Sequence, residues 1–431
     1  MKKIGMIALA ALLVVAFTVP ASAMESVFGG YWRTRMVTQN DFSGDDSGDS
    51  DLTRVDNRFR LYYTAVLNDN LKFVNKFEYD SVWGDTIGGD FGADGKGQLE
   101  VKNSYVDATM GAFNAKVGIQ GAALGRGFLF NDDFSGLTLA FKGETFSLPF
   151  MWLKAYDGNA GGQGDFDDLD VDYYALAPSF KVSDGIKLNP YVMWATSDDV
   201  SGWNPLYHPL DENVADEALG LLPGDELDIM FYGLDVDMNF GGASLWFTGI
   251  CEDGDIADAD VSAYLLALGG AYNFDKFDIH GQGFYATGDD DWDDDDFEAF
   301  WVPSQSQYAG QSYYWAEILG YGIFDENGPD GFPYSDKISN IWAANLGTKI
   351  KATEKMTIKF DVWYAELNES MVPGLDEELG WETDLVISCQ LVPGLNLDLV
   401  GAYLFAGDSI TFAAADDANP YELGAQLSLS F

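Results

Sequence analysis

The stretch Tyr421 to Phe431, YELGAQLSLSF, decides the fold. Its odd positions, Tyr421, Leu423, Ala425, Leu427, Leu429 and Phe431, are all apolar. Its even positions, Glu422, Gly424, Gln426, Ser428 and Ser430, are polar or small. A two-residue period belongs to an extended strand whose two faces meet different surroundings. One such strand suits any half-buried sheet. The same alternation recurs along the chain, and the recurrence narrows the choice.

Working outward, Trp381, Leu385 and Ile387 alternate with Glu382, Asp384, Ser388 and Gln390, and Leu395, Leu397 and Leu399 with Asn396 and Asp398. Near the other end, Val55, Asn57, Phe59, Leu61, Tyr63, Ala65 and Leu67 alternate with Arg54, Asp56, Arg58, Arg60, Tyr62, Thr64 and Val66. Leu71, Phe73, Asn75, Phe77 and Tyr79 alternate with Lys72, Val74, Lys76, Glu78 and Asp80. A Lys or Arg turned to lipid at mid-membrane costs about 2–4 kcal/mol. Turning every polar set to one enclosed side removes those costs together.

The strands are punctuated alternately by tight turns and long, acidic loops. Tight turns fall at Asn68–Asn70, Gly111–Asn114, Lys142–Glu144, Ser183–Gly185, Gly241-Gly242, Phe274–Lys276, Ala352–Lys355 and Val392–Gly394. Longer connections fall at 39–53, 84–98, 124–133, 157–169, 198–227, 253–260, 288–336, 368–379 and 408–420. Together they predict an all-β, antiparallel transmembrane β-barrel of about 18 strands, or 16 if one hairpin is lost. A strand of about a dozen residues, tilted by about 45°, rises roughly 28 Å, enough for a ~25 Å apolar band. Within lipid only helices and closed barrels satisfy every backbone group. No apolar run after the leader approaches the ~20 residues of a spanning helix.

Residues 1–23 read as a secretory signal: Lys2 and Lys3, an apolar run from Ile4 to Val19, and the small-residue site Ala21-Ser22-Ala23. The barrel is expected to occupy 24–431. Removing the signal takes 2 of the 23 basic residues, leaving 21 against 70 acidic, a net charge of −49. That charge excludes a nucleic-acid binder. Cys251 and Cys389 are far apart in sequence and give neither a disulfide framework nor a metal spacing. No cofactor motif is present. With only His208 and His280, and no nucleophile motif, the sequence points away from an enzyme.

All six arginines lie within the first 126 residues. By parity Arg33, Arg35, Arg54, Arg58, Arg60, Lys72, Lys76 and Lys102 form a pore-lining basic ladder. Asp235, Asp237, Asp361, Glu382, Asp384 and Asp398 form pore-lining acidic positions elsewhere. Such walls either set a field that orients anionic solutes, or the bases serve to neutralise Asp56, Glu78 and Asp80 beside them. In GDDDWDDDDFE (288–298), alternate Asp289, Asp291, Asp293 and Asp295 offer oxygens for a weak cation site. A solvated acidic loop is the other reading. Beyond this run come Phe300, Trp301, Tyr308, Tyr313, Tyr314 and Trp315, too aromatic for a solvated excursion. Part of 297–336 is therefore expected to fold into or over the pore mouth and narrow it. Trp32, Trp83, Trp152, Trp194, Trp246, Trp363 and Trp381 near strand ends suggest interfacial girdles.

The leader, the turn-and-loop alternation and the aromatic-ended last strand resemble Gram-negative outer-membrane porins over nearly the whole chain. The resemblance implies short periplasmic turns and long extracellular loops. It implies passive diffusion of small hydrophilic solutes and ions through an outer-membrane barrel, often a homotrimer. It also implies that Tyr421, Leu429 and Phe431 carry the signal read by the barrel-assembly machinery. One departure stands out. The inward loop of general porins follows an early hairpin, whereas here 124–133 is short and 288–336 is longest. Two further readings stay open: a sheath for a trans-outer-membrane electron-transfer partner, and a solute-specific channel for acidic sugars or other anions.

Overall fold

The computed structural model describes residues 24–47, 51–85, 99–158, 169–200, 224–290, 296–303, 313–324, 338–370 and 374–431. Residues 1–23, expected to be a secretory signal, and the aspartates 291, 293 and 295 lie outside them. The strands are β1 (Glu25–Asn40), β2 (Leu52–Asn68), β3 (Leu71–Val82), β4 (Leu99–Met110), β5 (Phe113–Leu124) and β6 (Phe130–Lys142). Next come β7 (Phe146–Tyr156), β8 in two pieces (Val171–Leu176 and Ser179–Ser183), β9 (Ile186–Ser197), β10 (Leu227–Phe240), β11 (Ala243–Ile256) and β12 (Ala259–Asn273). The last are β13 (Phe277–Ala286), β14 (Ile341–Lys351), β15 (Met356–Leu367), β16 (Glu378–Val392), β17 (Leu395–Ala406) and β18 (Tyr421–Ser430).

Each strand pairs antiparallel with its sequence neighbours, β1 with β2 and so on around to β17 with β18. The last pairing, β1 with β18, runs from Tyr31↔Ser430 to Asn40↔Tyr421 and closes an 18-strand barrel. All eight expected tight turns join strands. The expected long connection 253–260 is instead a two-residue turn, Ala257-Asp258, because β11 and β12 stay paired up to Ile256↔Ala259. Among the described residues no helix is long and apolar enough to cross a membrane, so strands would have to do it.

The outer surface is a belt of exposed apolar side chains, among them Leu245, Leu268, Leu346, Phe360, Phe405 and Leu423. Leu268 and Leu346 are 64% and 66% exposed. So continuous a belt would drive association in water and is at home in lipid. Aromatics rim it. The Trp152 indole N–H donates to Asp172 (2.8 Å) and that of Trp194 to Asp228 (2.6 Å). Tyr364 packs between Trp342 and Trp381. An indole with one end wet and one end greasy suits a membrane interface. Trp246 and Trp363 break the expected girdle. Both point inside the barrel, Trp363 buried and packed on Trp315 at 5.0 Å, and Trp246 beneath Arg126 at 5.0 Å.

Candidate functional site: the barrel interior

Two loops fold inside. The first joins β5 to β6 and reads Gly125-Arg-Gly-Phe-Leu129. Gly125, Arg126 and Gly127 all take positive φ (58°, 57° and 95°). Glycine adopts that region freely, but Arg126 does so against a steric cost. Its side-chain contacts offset the cost. The guanidinium donates to Thr248 Oγ1 (3.1 Å), the Val236 carbonyl (3.3 Å) and Asp237 Oδ1 (2.7 Å). The loop thus reaches from β5–β6 to β10–β11 and seats Phe128 and Leu129 in the interior, both fully buried. Sequence reasoning passed over this loop as too short. The Gly-Arg-Gly triplet was the available signal.

The second loop, 287–340, follows β13. As its aromatic content predicts, the described parts fold inward. Phe300, Trp301, Ile318, Leu319 and Phe324 are buried. The Trp301 N–H donates to Glu252 on β11 (3.0 Å), and Trp301 packs on Phe231 at 5.6 Å. The Tyr173 hydroxyl donates to the Pro303 carbonyl (3.1 Å). The N–H groups of Ile318 and Leu319 both donate to Glu382 (2.7 and 2.9 Å). The loops meet where Tyr313 stacks on Phe128 at 3.7 Å and donates its hydroxyl to Gln282 (2.7 Å).

These contacts fix which face is inside, and register carries the assignment around the wall. Glu382 lies opposite Leu404, Ala402 opposite Glu422, and Glu422 opposite Gln39. From Gln39, Arg33 and Arg35 share the inner face of β1. Arg33 lies opposite Arg58 and Arg35 opposite Asp56; Arg58 lies opposite Asp80 and Arg60 opposite Glu78. Arg54, Lys72 and Lys76 follow by parity, and Lys102 reaches Glu78 at 3.6 Å from a bulge in β4. The inner face likewise receives Asp235 and Asp237 through Glu252↔Phe231, Asp361 through Trp363↔Glu382, and Asp384 and Asp398 on β16 and β17.

The ladder is laced with acids. Arg35 donates to Asp56 at 2.8 Å, with Arg54 also beside Asp56 at 3.3 Å. Arg58 bonds Asp80 at 2.6 Å, and Arg60 bonds Glu78. Arg33, Arg35, Arg54 and Arg58 nevertheless line one cavity of about 200 Å³, with Asp56 and Asp80 the acids among its described lining residues. Glu78 stands 3.7 Å from Arg58 beside it. The acids opposite Arg126 are held differently, Asp237 by the guanidinium and Asp235 through the Thr248 hydroxyl (2.8 Å). Asp361 contacts His280 Nε2 (2.9 Å), Lys359 (2.7 Å) and Asn345 (2.7 Å). Asp289 is buried, with the Glu298 N–H 3.3 Å away. Among the described residues no three acidic, His or Cys side chains gather as a metal site would. Tyr421 and Leu429 lie on the closing strand. The Phe431 backbone exchanges hydrogen bonds with Gly30 (2.9 and 3.2 Å). Both cysteines are free, Cys251 exposed on the outer face.

No family model matches the chain, and no curated protein does. Solved structures do. Pseudomonas aeruginosa OccK8 (OprE) matches with a TM-score of 0.59 at 11% identity, over 94% of this chain and 98% of that one. The outer membrane protein opdK from the same organism matches at 0.58 and 11%, over 94% and 99%. Its outer membrane protein OprD matches at 0.57 and 14%, over 94% of each chain. At such identities the likeness shows a shared barrel fold.

Proposed function

We propose that the chain is an outer-membrane porin, a water-filled channel for passive diffusion of small hydrophilic solutes, whose arginine wall favours solutes carrying an anionic group. The carrying observation is the cavity faced by Arg33, Arg35, Arg54 and Arg58 inside a barrel with an apolar exterior. Planar guanidiniums match carboxylate oxygens two at a time, and a low-dielectric rim strengthens their field. The loops support restricted rather than general passage, because Phe128, Trp301 and Leu319 occupy the interior. The same filling leaves little room for a threaded electron-transfer protein. It favours the reading as a channel for acidic sugars or other small anions.

We read the chain as a channel rather than an enzyme, since His280 is clamped between Asp278 (2.6 Å) and Asp361 (2.9 Å). The aromatic-ended strand Tyr421, Leu429, Phe431 supports handling by the barrel-assembly machinery, and 1–23 supports export. A homotrimer is supported by the polar pair Ser104–Asn75 (3.1 Å) on the outer side of β3–β4, where lipid alone would leave it poorly solvated. Cross-linking in native membranes tests the trimer. Reversal potentials of the reconstituted barrel in asymmetric salt test the channel. Anion preference is expected, and it should fall in Arg58→Gln/Arg60→Gln. An unchanged ion preference in that variant removes the role assigned to the wall.

A further inference from the structure

The inserted loop carries one carboxylate of its own into the interior. Glu317 is buried, and its carboxylate accepts the N–H of Ile323 (2.7 Å) across a turn closed by Gly322 N–H to the Ala316 carbonyl (2.8 Å). The next two residues hang by their N–H groups from Glu382. The wall facing Glu317 is acidic. It presents Glu382 and Asp384 from β16, Asp361 and Lys359 from β15, and Glu422 from β18. Arg35 of β1 acts on Glu422, which Gln39 also bonds (2.6 Å), and His280 of β13 reaches the group through Asp361. Asp384 Oδ1 and Glu422 Oε1 are buried without a hydrogen-bond partner among the described residues. Five carboxylates thus crowd the seat of the loop, with Lys359 the base that acts on Glu317. A charge added there is costly, because it is buried and Lys359 must already serve Asp361 at 2.7 Å.

We propose that segment 315–324 is a proton-operated plug, seated in the barrel while Glu317 is protonated and withdrawn when Glu317 ionises. Burial, the largest influence, pushes Glu317 from 4.5 up to about 7; the Ile323 N–H opposes the rise and nearby Glu382 adds to it. The seated loop therefore holds this proton more tightly than a hydrated, withdrawn loop does. Seating is fully favoured below about 4.5 and is lost as pH rises towards about 7. Over that span the ratio of withdrawn to seated loop grows roughly tenfold per pH unit, then levels off.

Two measurements on the whole barrel test this. Single-channel conductance, which rests on the channel reading, should step upward between about pH 5 and about pH 7. In Glu317→Gln it should stay at the low value throughout, and in His280→Gln the step should persist. Thiol labelling does not depend on conduction. With Cys251 and Cys389 changed to Ser, Ile318→Cys should label slowly at low pH. It should gain roughly a hundredfold by about pH 7, measured against Ser47→Cys at an exposed position. A flat labelling ratio overturns the plug, as does a step that survives Glu317→Gln or vanishes in His280→Gln. So does one that follows added calcium at fixed pH. Normal labelling behaviour in a barrel that conducts nothing would retain the plug and discard the channel.

Discussion

Strands β1–β4 and strands β8–β15 share one backbone ladder, yet they line the barrel with opposite chemistry. The first group turns arginines, lysines and their acid partners inward. The second turns Tyr173, Met193, Phe231, Leu265, Phe284 and Trp363 inward, all buried, around a few acids, among them Asp235, Asp237, Glu252 and Asp361. Water alone could not cover such a surface, so the two inserted loops cover it. Phe128, Trp301 and Trp315 lie on this apolar half, while Phe324 extends the second loop onto Val37, Val386 and Val400 at the closing seam. On the channel proposed above, solutes would travel along the charged wall, while the greasy wall docks the loops.

The comparison breaks most readily at the dock. Phe128→Ala removes the ring on which both loops meet and should cost about 3–5 kcal/mol of loop docking. A rise in open-channel conductance and in loop proteolysis would show it, whereas unchanged conductance would mean the loops hold independently. On the outer side, Leu346→Arg should destabilise the barrel in lipid by about 2–4 kcal/mol. Asn345→Arg, one residue along and facing inward, should cost far less in unfolding titrations from vesicles; equal costs would dissolve the inside–outside distinction. At the closing seam, a Cβ on Gly30 would overlap the Phe431 ring and press on the Arg60 carbonyl. Gly30→Ala should then lower stability by about 1–3 kcal/mol, read as a lower melting temperature. The smallest effect belongs to the charged wall. Arg58→Gln/Arg60→Gln should change relative anion permeability by about fivefold, roughly 1 kcal/mol, since acids already partner both bases.

Period-two alternation made the strand number, the turns and the direction of the polar faces legible, because one side of every strand must satisfy lipid. It was mute about what lies on the other side. Tyr173 and Met193 sit in strands that are apolar on both faces, and no local pattern separates a face under lipid from a face under a loop. Trp363 shares the parity of pore-lining Asp361, and Trp246 that of Glu252, so alternation placed both inward and the girdle expectation ran against it. The long loop betrayed its insertion through an aromatic density that solvent would not tolerate. The short one hid because five residues look like a simple turn until Gly125, Arg126 and Gly127 are seen to bend the chain across the interior.

The pairing of β1 with β18 has a consequence for biogenesis. Gln39 and Glu422 bond across 383 positions of sequence. Apart from a two-residue parallel pairing of 296–297 with β12, the remaining described pairs join strands consecutive in the chain, so a sheet could grow locally and leave this one until the end. Ring closure then carries the largest loop-entropy penalty of any single step. Until it happens the nascent sheet has two raw edges, each able to recruit a foreign strand. A chaperone that grips the Tyr421–Phe431 edge would shield one of them and hold the final partner in register for its counterpart.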